Sequence, residues 1–198
     1  MIVIGLCGGS GAGKGLVSSY FDEFGIKHID TDKVYHDIIS ADTPCSRELI
    51  ALFGDDIVTD GFIDRKKLGK IVFSDKDKRS ELNSIAHRHI LNEVRALIAS
   101  YRNNGVKGVV VDAPLLFESG FDKECDVTVG VVADEGVRIE RIIARDFITE
   151  DSAKARVKSQ LSDEVLRQKC DFVIDNSGTR YELKDRIVVL YNKIFDNN

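Results

Sequence analysis

Gly8-Gly9-Ser10-Gly11-Ala12-Gly13-Lys14-Gly15 follows directly on the apolar run Ile2-Val3-Ile4-Gly5-Leu6-Cys7. A glycine-rich turn between a buried strand and a helix turns successive backbone N–H groups outward, and the helix dipole adds positive potential, so the place suits phosphate. Gly8, Gly13 and Lys14 fit the spacing GxxxxGK. The Ser or Thr that usually follows the lysine is replaced by Gly15. Leu16, Val17, Tyr20, Phe21 and Phe24 recur at helical spacing after the turn and predict an amphipathic helix. A plain glycine turn with a surface lysine is the competing reading. Four glycines in six residues argue against it, because glycine loses the most chain entropy on folding.

Outward from this turn, strands and helices alternate. Ile2–Cys7, Lys27–Asp30, Gly108–Ala113, Val127–Ala133 and Phe172–Ile174 are short Val/Ile-rich runs separated by helical patterns. They predict an α/β, three-layer fold with a five-stranded parallel sheet covered on both faces. Residues 33–106 are mostly helical in pattern and too long for an ordinary crossover. A helical insertion leaning over the carboxyl edge of the sheet, where α/β folds bind ligands, is the expectation. Its last helix includes Leu82, Ile85, Ile90, Leu91, Val94, Leu97 and Ile98 and stops at Asn103-Asn104-Gly105.

Composition narrows the class. The 198 residues are 43% hydrophobic, enough for one large domain, and the net charge of −5 leaves no general basic surface for nucleic acid. The four cysteines, Cys7, Cys45, Cys125 and Cys170, form no CxxC and read as reduced, mostly buried thiols. No basic leader with a long apolar stretch is present, and no apolar run reaches about 18 residues. A cytoplasmic protein without a membrane partner is expected.

Three places carry candidate chemistry. Asp30 and Asp32, at the end of the second strand, supply two carboxylates. One could take the proton of an attacking hydroxyl while the other orients it or holds magnesium through water. Alternatively, Thr31 or Asp32 merely caps the helix that begins near Lys33. Asp112 closes the third strand as a magnesium-organising carboxylate or as a turn residue before Pro114. Arg138, Arg141 and Arg145 follow the fourth strand, either as a mobile segment that neutralises charge on a transferring phosphoryl group or as a solvated face paired with Glu140 and Asp146. His87-Arg88-His89 is a poor metal pair, because i and i+2 on a helix point apart.

Taken in order, these pieces resemble the dephospho-CoA kinases. The resemblance runs from Gly5–Lys14 through Asp30 and Asp32, then Asp64-Arg65, Leu68, Val72-Phe73, Leu82-Asn83 and His87. It continues through Pro114-Leu115-Leu116-Phe117-Glu118, Arg141, Arg145-Asp146, Arg156 and Gln160 to Asp171–Gly178. It implies a single P-loop kinase domain over residues 1–198, with a helical CoA-binding insertion at 33–106 and a small lid at 138–162. The reaction implied is transfer of the γ-phosphate of ATP, with Mg²⁺, to the ribose 3′-hydroxyl of dephospho-CoA, the last step of coenzyme A synthesis.

By the same resemblance Asp32 is the base, Lys14 holds the β- and γ-phosphates and Arg141 is the lid arginine. ATP would lie on Gly9, Ser10, Gly11, Ala12, Gly13, Lys14 and Gly15, with Arg145, and with Asn176 at the adenine end. The acceptor would meet Asp32, Arg65, His87, Leu115 and Glu118, and Asp112 would hold magnesium through water. A monomer is expected. Another small-molecule or nucleoside monophosphate kinase, or a non-catalytic nucleotide-binding regulator, are the rivals. The chain departs from the family pattern at Gly15 and Leu16, which bring no hydroxyl, at Arg88, where proline usually follows the histidine, and at Leu166, where a basic residue is usual.

Overall fold

Of the five predicted strands, the central ones bury both faces and so read as continuous apolar runs rather than alternating ones, whereas the edge run Lys27–Asp30 buries only Ile29. In the computed structural model, which describes residues 1–195, they are β1 (Ile2–Gly8), β2 (Lys27–Asp30), β5 (Gly108–Asp112), β6 (Val127–Val132) and β7 (Phe172–Asp175). They form one parallel sheet in the order β2-β5-β1-β6-β7. Central β1 pairs Ile2 with Gly108 and Leu6 with Asp112 on one side, and Cys7 with Gly130 and Gly8 with Val131 on the other. From β1 the chain moves to the β2 edge, and from β6 to the β7 edge. The strand order therefore switches between β1 and β6, where α/β sheets open a crevice at their carboxyl ends.

The chain forms two compact units, residues 1–29 with 101 onward, and residues 30–100. In the first, helix α1 (Lys14–Glu23) and helix α9 (Arg180–Phe195) cover one face of the sheet. Val17 and Phe21 of α1 meet Leu183, Ile187, Leu190 and Ile194 of α9 over Ile4, Leu6, Val110 and Val131. Full burial of each such side chain contributes about 1.5–3 kcal/mol before chain entropy is counted. The opposite face receives α8 (Asp163–Lys169) on β6 and β7, and a short turn at Phe121–Glu124 on β1. Helices α6 (Glu135–Asp146) and α7 (Glu150–Lys158) pack on each other through Ile139, Ile142, Ala153 and Val157, a small cluster of their own.

The second unit contains α2 (Thr31–Ile39), α3 (Pro44–Phe53), α4 (Arg65–Ser74) and all but the last turn of α5 (Lys76–Asn103). Ile39, Cys45, Leu49, Ile57, Leu68 and Leu82 form its core. It also holds a two-stranded antiparallel hairpin, β3 (Val58–Thr59) and β4 (Phe62–Ile63), absent from the sequence reading. The signal was Asp60-Gly61, whose φ values of 52° and 84° are both positive, as a tight hairpin turn requires.

The four cysteines are free thiols, and Cys7 Sγ lies 3.5 Å from Cys170 Sγ. No helix among the described residues is long and apolar enough to cross a membrane.

Candidate functional site

The N-terminus of α1 differs from its neighbours in what it leaves open. Helices α2, α3, α4, α7 and α8 are capped by the side chains of Asp30, Thr43, Asp64, Thr149 and Ser162. Helix α1 has Gly13 at its N-cap, in the left-handed region at φ 94°, with no side-chain cap and no acid in its first turn. Its first N–H groups and the positive end of its dipole therefore lack an internal anion, which is the condition for binding an external one. Lys14 stands at the first helical position, its Nζ 3.1 Å from the Gly8 carbonyl and 3.8 Å from Asp112 Oδ1.

Four side chains hold the loop from outside. Asn176, 3% exposed, donates from Nδ2 to the Ala12 carbonyl at 2.7 Å, and its own N–H donates to Val132. A Cβ on Gly13 would stand 2.2 Å from that Nδ2, so position 13 needs glycine for space as well as for its backbone angle. Arg138, 4% exposed, donates from Nε to the Ser10 carbonyl at 3.1 Å and from Nη2 to Gln160 Oε1 at 3.0 Å. Gln160 Oε1 also accepts from the Ser10 N–H at 2.8 Å. Arg141 donates from Nη1 to the Gly11 carbonyl at 3.3 Å.

Beside the loop lies a cleft of about 290 Å³ lined by Gly8, Gly9, Leu115, Glu118 and Gln160, with Cys7 and Leu166 also at its wall. Leu166 is buried, and the neighbouring Arg167 points its guanidinium to Asp175 Oδ2 at 3.6 Å. From the same helix, Lys169 Nζ stands 4.9 Å from the ring centre of Phe117, which also lines the cleft. Arg145 makes a two-pronged ion pair with Asp146 at 2.7 and 2.9 Å, and Arg156 also pairs with Asp146. The two guanidiniums, Arg145 first, hold the Asp146 carboxyl down at about 2.

In the second unit the helix cap is Asp30, not Thr31 or Asp32. Asp30 Oδ1 accepts from the N–H groups of Asp32 and Lys33 at 2.9 and 3.1 Å. The capping alternative for Asp32 is thereby removed, and its carboxylate stands exposed on the first turn of α2. Arg65 begins α4 after the Asp64 cap. Its charge acts on Tyr35, whose hydroxyl is raised by burial and lowered in part by Arg65. His87 is half-buried on α5, while Arg88 and His89 both reach Glu48 of α3, His89 Nε2 at 2.8 Å. The residue that stands in place of proline is thus a tie between two helices.

Magnesium has a narrow choice of protein partners. No group of three or more His, Cys, Asp or Glu among the described residues could hold a metal ion, and Gly15 brings no hydroxyl. An ion carried on phosphate oxygens and waters, with Asp112 as the nearby carboxylate, fits these residues, since magnesium keeps several waters and takes one or two carboxylates.

The loop, Lys14, Asp112, Arg141 and Asn176 come together in the first unit, while Asp32, Arg65 and His87 belong to the second. Sequence reading grouped Arg138 with Arg141 and Arg145 but did not foresee its hold on the Ser10 carbonyl. Its spacing of three from Arg141 on one helix was the available sign.

A family model described as dephospho-CoA kinase matches residues 2–182. The chain is 38% identical to a dephospho-CoA kinase of Carboxydothermus hydrogenoformans over 96% of its length and 93% of the relative's. It is 41% identical to one of Fusobacterium nucleatum over 94% and 95%. Among solved structures, the dephospho-CoA kinase from Campylobacter jejuni superposes with a TM-score of 0.74 at 25% identity, covering 99% of this chain and 98% of that one. Shikimate kinase from Acinetobacter baumannii, at 16% identity, 0.56, and coverage of 100% and 95%, shares the fold.

Proposed function

Because the chain belongs to the dephospho-CoA kinase family, we propose a division of labour among its residues for that family's reaction. The chain is an ATP-dependent kinase of coenzyme A synthesis, acting on dephospho-CoA. The uncapped N-terminus of α1, with Lys14 at its first position, carries the reading of where ATP lies. The loop Gly9–Gly15 takes the phosphates, through N–H groups other than those of Ser10 and Ala12, which donate to Gln160 Oε1 and the Gly9 carbonyl, and Lys14 meets the β- and γ-oxygens. Asp32 accepts the proton of the ribose 3′-hydroxyl as that oxygen forms its bond to the γ-phosphorus and the bond to the β-phosphate oxygen breaks, releasing ADP. Arg141 and Arg145 face the charge spread over the transferring group.

Magnesium accompanies ATP and, when bound, neutralises phosphate charge, with Asp112 the residue that would hold its waters. Asn176, expected at the adenine end, serves ATP through the loop backbone instead, its buried Nδ2 donating to the Ala12 carbonyl. Arg65 and His87, with Leu115 and Glu118, receive the acceptor. A cytoplasmic monomer acting on small molecules, without nucleic acid or membrane, is part of the same proposal.

Asp32→Asn tests the base. Asp30 keeps the helix cap, so the fold should be unaffected, and kcat should fall by about 10²–10⁴ while the KM for ATP holds within twofold. A kcat within a few-fold of the parent would remove Asp32 from the role.

A further inference from the structure

The first unit buries a guanidinium that the reaction does not need at the reacting atoms. Arg138 is 4% exposed, and burying a charge is costly unless its donors are all engaged. Each limb has a partner: Nε reaches the Ser10 carbonyl at 3.1 Å, Nη2 reaches Gln160 Oε1 at 3.0 Å, and Nη1 lies 3.4 Å from Asp163 Oδ1. Gln160 closes the circuit, accepting the Ser10 N–H at 2.8 Å and donating from Nε2 to Ser10 Oγ at 3.0 Å. Both backbone groups of Ser10 are thus held by side chains from α6 and from the segment after α7. The guanidinium also lies close against Gly9, where a Cβ would stand 2.0 Å from Nη2. This is a rigid clamp on the first half of the phosphate loop, in the segment expected to form the lid.

We propose that Arg138 and Gln160 act as a positioning pair for ATP, setting the Gly9–Ser10 backbone so that the loop N–H groups converge on the phosphates. This rests on the reading of the loop as the ATP site. The pair works through Ser10 and is separate from Arg141, which reaches Gly11. Its loss should weaken ATP and spare the acceptor.

The test measures KM for ATP and for dephospho-CoA in full-length Arg138→Met, Gln160→Ala and the double variant, with ATP Kd by calorimetry and Lys14→Ala as reference. Gln160→Ala should raise the Kd and KM for ATP about tenfold, leave the KM for dephospho-CoA within twofold, and the double variant should be no worse than Arg138→Met. Should Arg138→Met fail to fold, Gln160→Ala, at a half-buried neutral position, carries the test alone. An ATP affinity within twofold of the parent in Gln160→Ala, or equal rises in both KM values, overturns the proposal. If Lys14→Ala loses ATP affinity while the Gln160 variant does not, the clamp is wrong and the loop reading stands. If neither loses it, the loop reading itself fails.

Discussion

Replacing Asn176 by alanine removes the donor that holds the Ala12 carbonyl from below the phosphate loop. The hydrogen bond is 2.7 Å long, Asn176 is 3% exposed, and Ala12 is fully buried, so water has no ready access to replace it. A neutral hydrogen bond contributes about 0.5–1.5 kcal/mol net, and a carbonyl left buried without that donor costs about 1–3 kcal/mol. These are two measures of one loss, and with the carbonyl left buried the upper part of the second range applies, about 2–3 kcal/mol. For a chain of this length that lowers Tm by about 4–12 °C. Urea unfolding followed by circular dichroism measures the first quantity, and steady-state kinetics shows whether the loosened loop raises the KM for ATP more than that for dephospho-CoA. Asn176→Asp should be worse than alanine, since it turns a carboxylate oxygen toward a carbonyl in a buried place. A loss below about 0.5 kcal/mol, or an aspartate variant as stable as the parent, would refute the claim that Asn176 supports the loop.

Gly15→Ser should be tolerated, because a Cβ there meets nothing within 4 Å. Activity should stay within a few-fold and less magnesium should be needed for half-maximal rate; loss of activity would show that the loop is arranged differently when ATP is bound. Asp171 is held below the usual carboxylate range by the Thr128 hydroxyl and the Thr128 N–H, at 2.7 and 2.8 Å. Its folded pKa is depressed, so its stabilisation is present above the unfolded value near 3.8 and is lost as pH falls through the folded one. Because Asp171 is exposed and screened by water, Asp171→Asn should cost less than about 1 kcal/mol at pH 7, with the gap to the parent closing below about pH 4. A gap that is flat between pH 7 and pH 3 would contradict this.

The central strands were legible because burial on both faces leaves an unbroken apolar run, and the predicted ends of the five strands differ from the observed ones by at most one residue. Those differences come from neighbours. β1 extends to Gly8 because Gly8 pairs with Val131, and β7 extends to Asp175 because it pairs with Val132. The β3–β4 hairpin was missed because two-residue strands carry no periodicity, leaving only the Asp-Gly turn as a sign. The start of α5 at Lys76, ahead of the first patterned residue Leu82, is set by Asp75, whose carboxylate accepts from the N–H groups of Asp77 and Lys78. The cap of α2 falls on Asp30 because the chain leaves β2 still extended there, at ψ 112°. At the loop, glycine spacing pointed to phosphate, but the clamp of Arg138 and Gln160 on Ser10 spans 128 and 150 residues of chain. Contacts of that separation leave no local pattern. Arg138 by itself reads as one more charge on an exposed helix face.

The most direct test of the account is a substrate panel with the purified chain and Mg-ATP, following ADP release and the mass and position of the phosphate on the acceptor. Rapid ADP release with dephospho-CoA, giving coenzyme A phosphorylated at the ribose 3′ position, and slow release with AMP, shikimate or water is the expected result. Equal turnover across the acceptors, or none with dephospho-CoA, would contradict it.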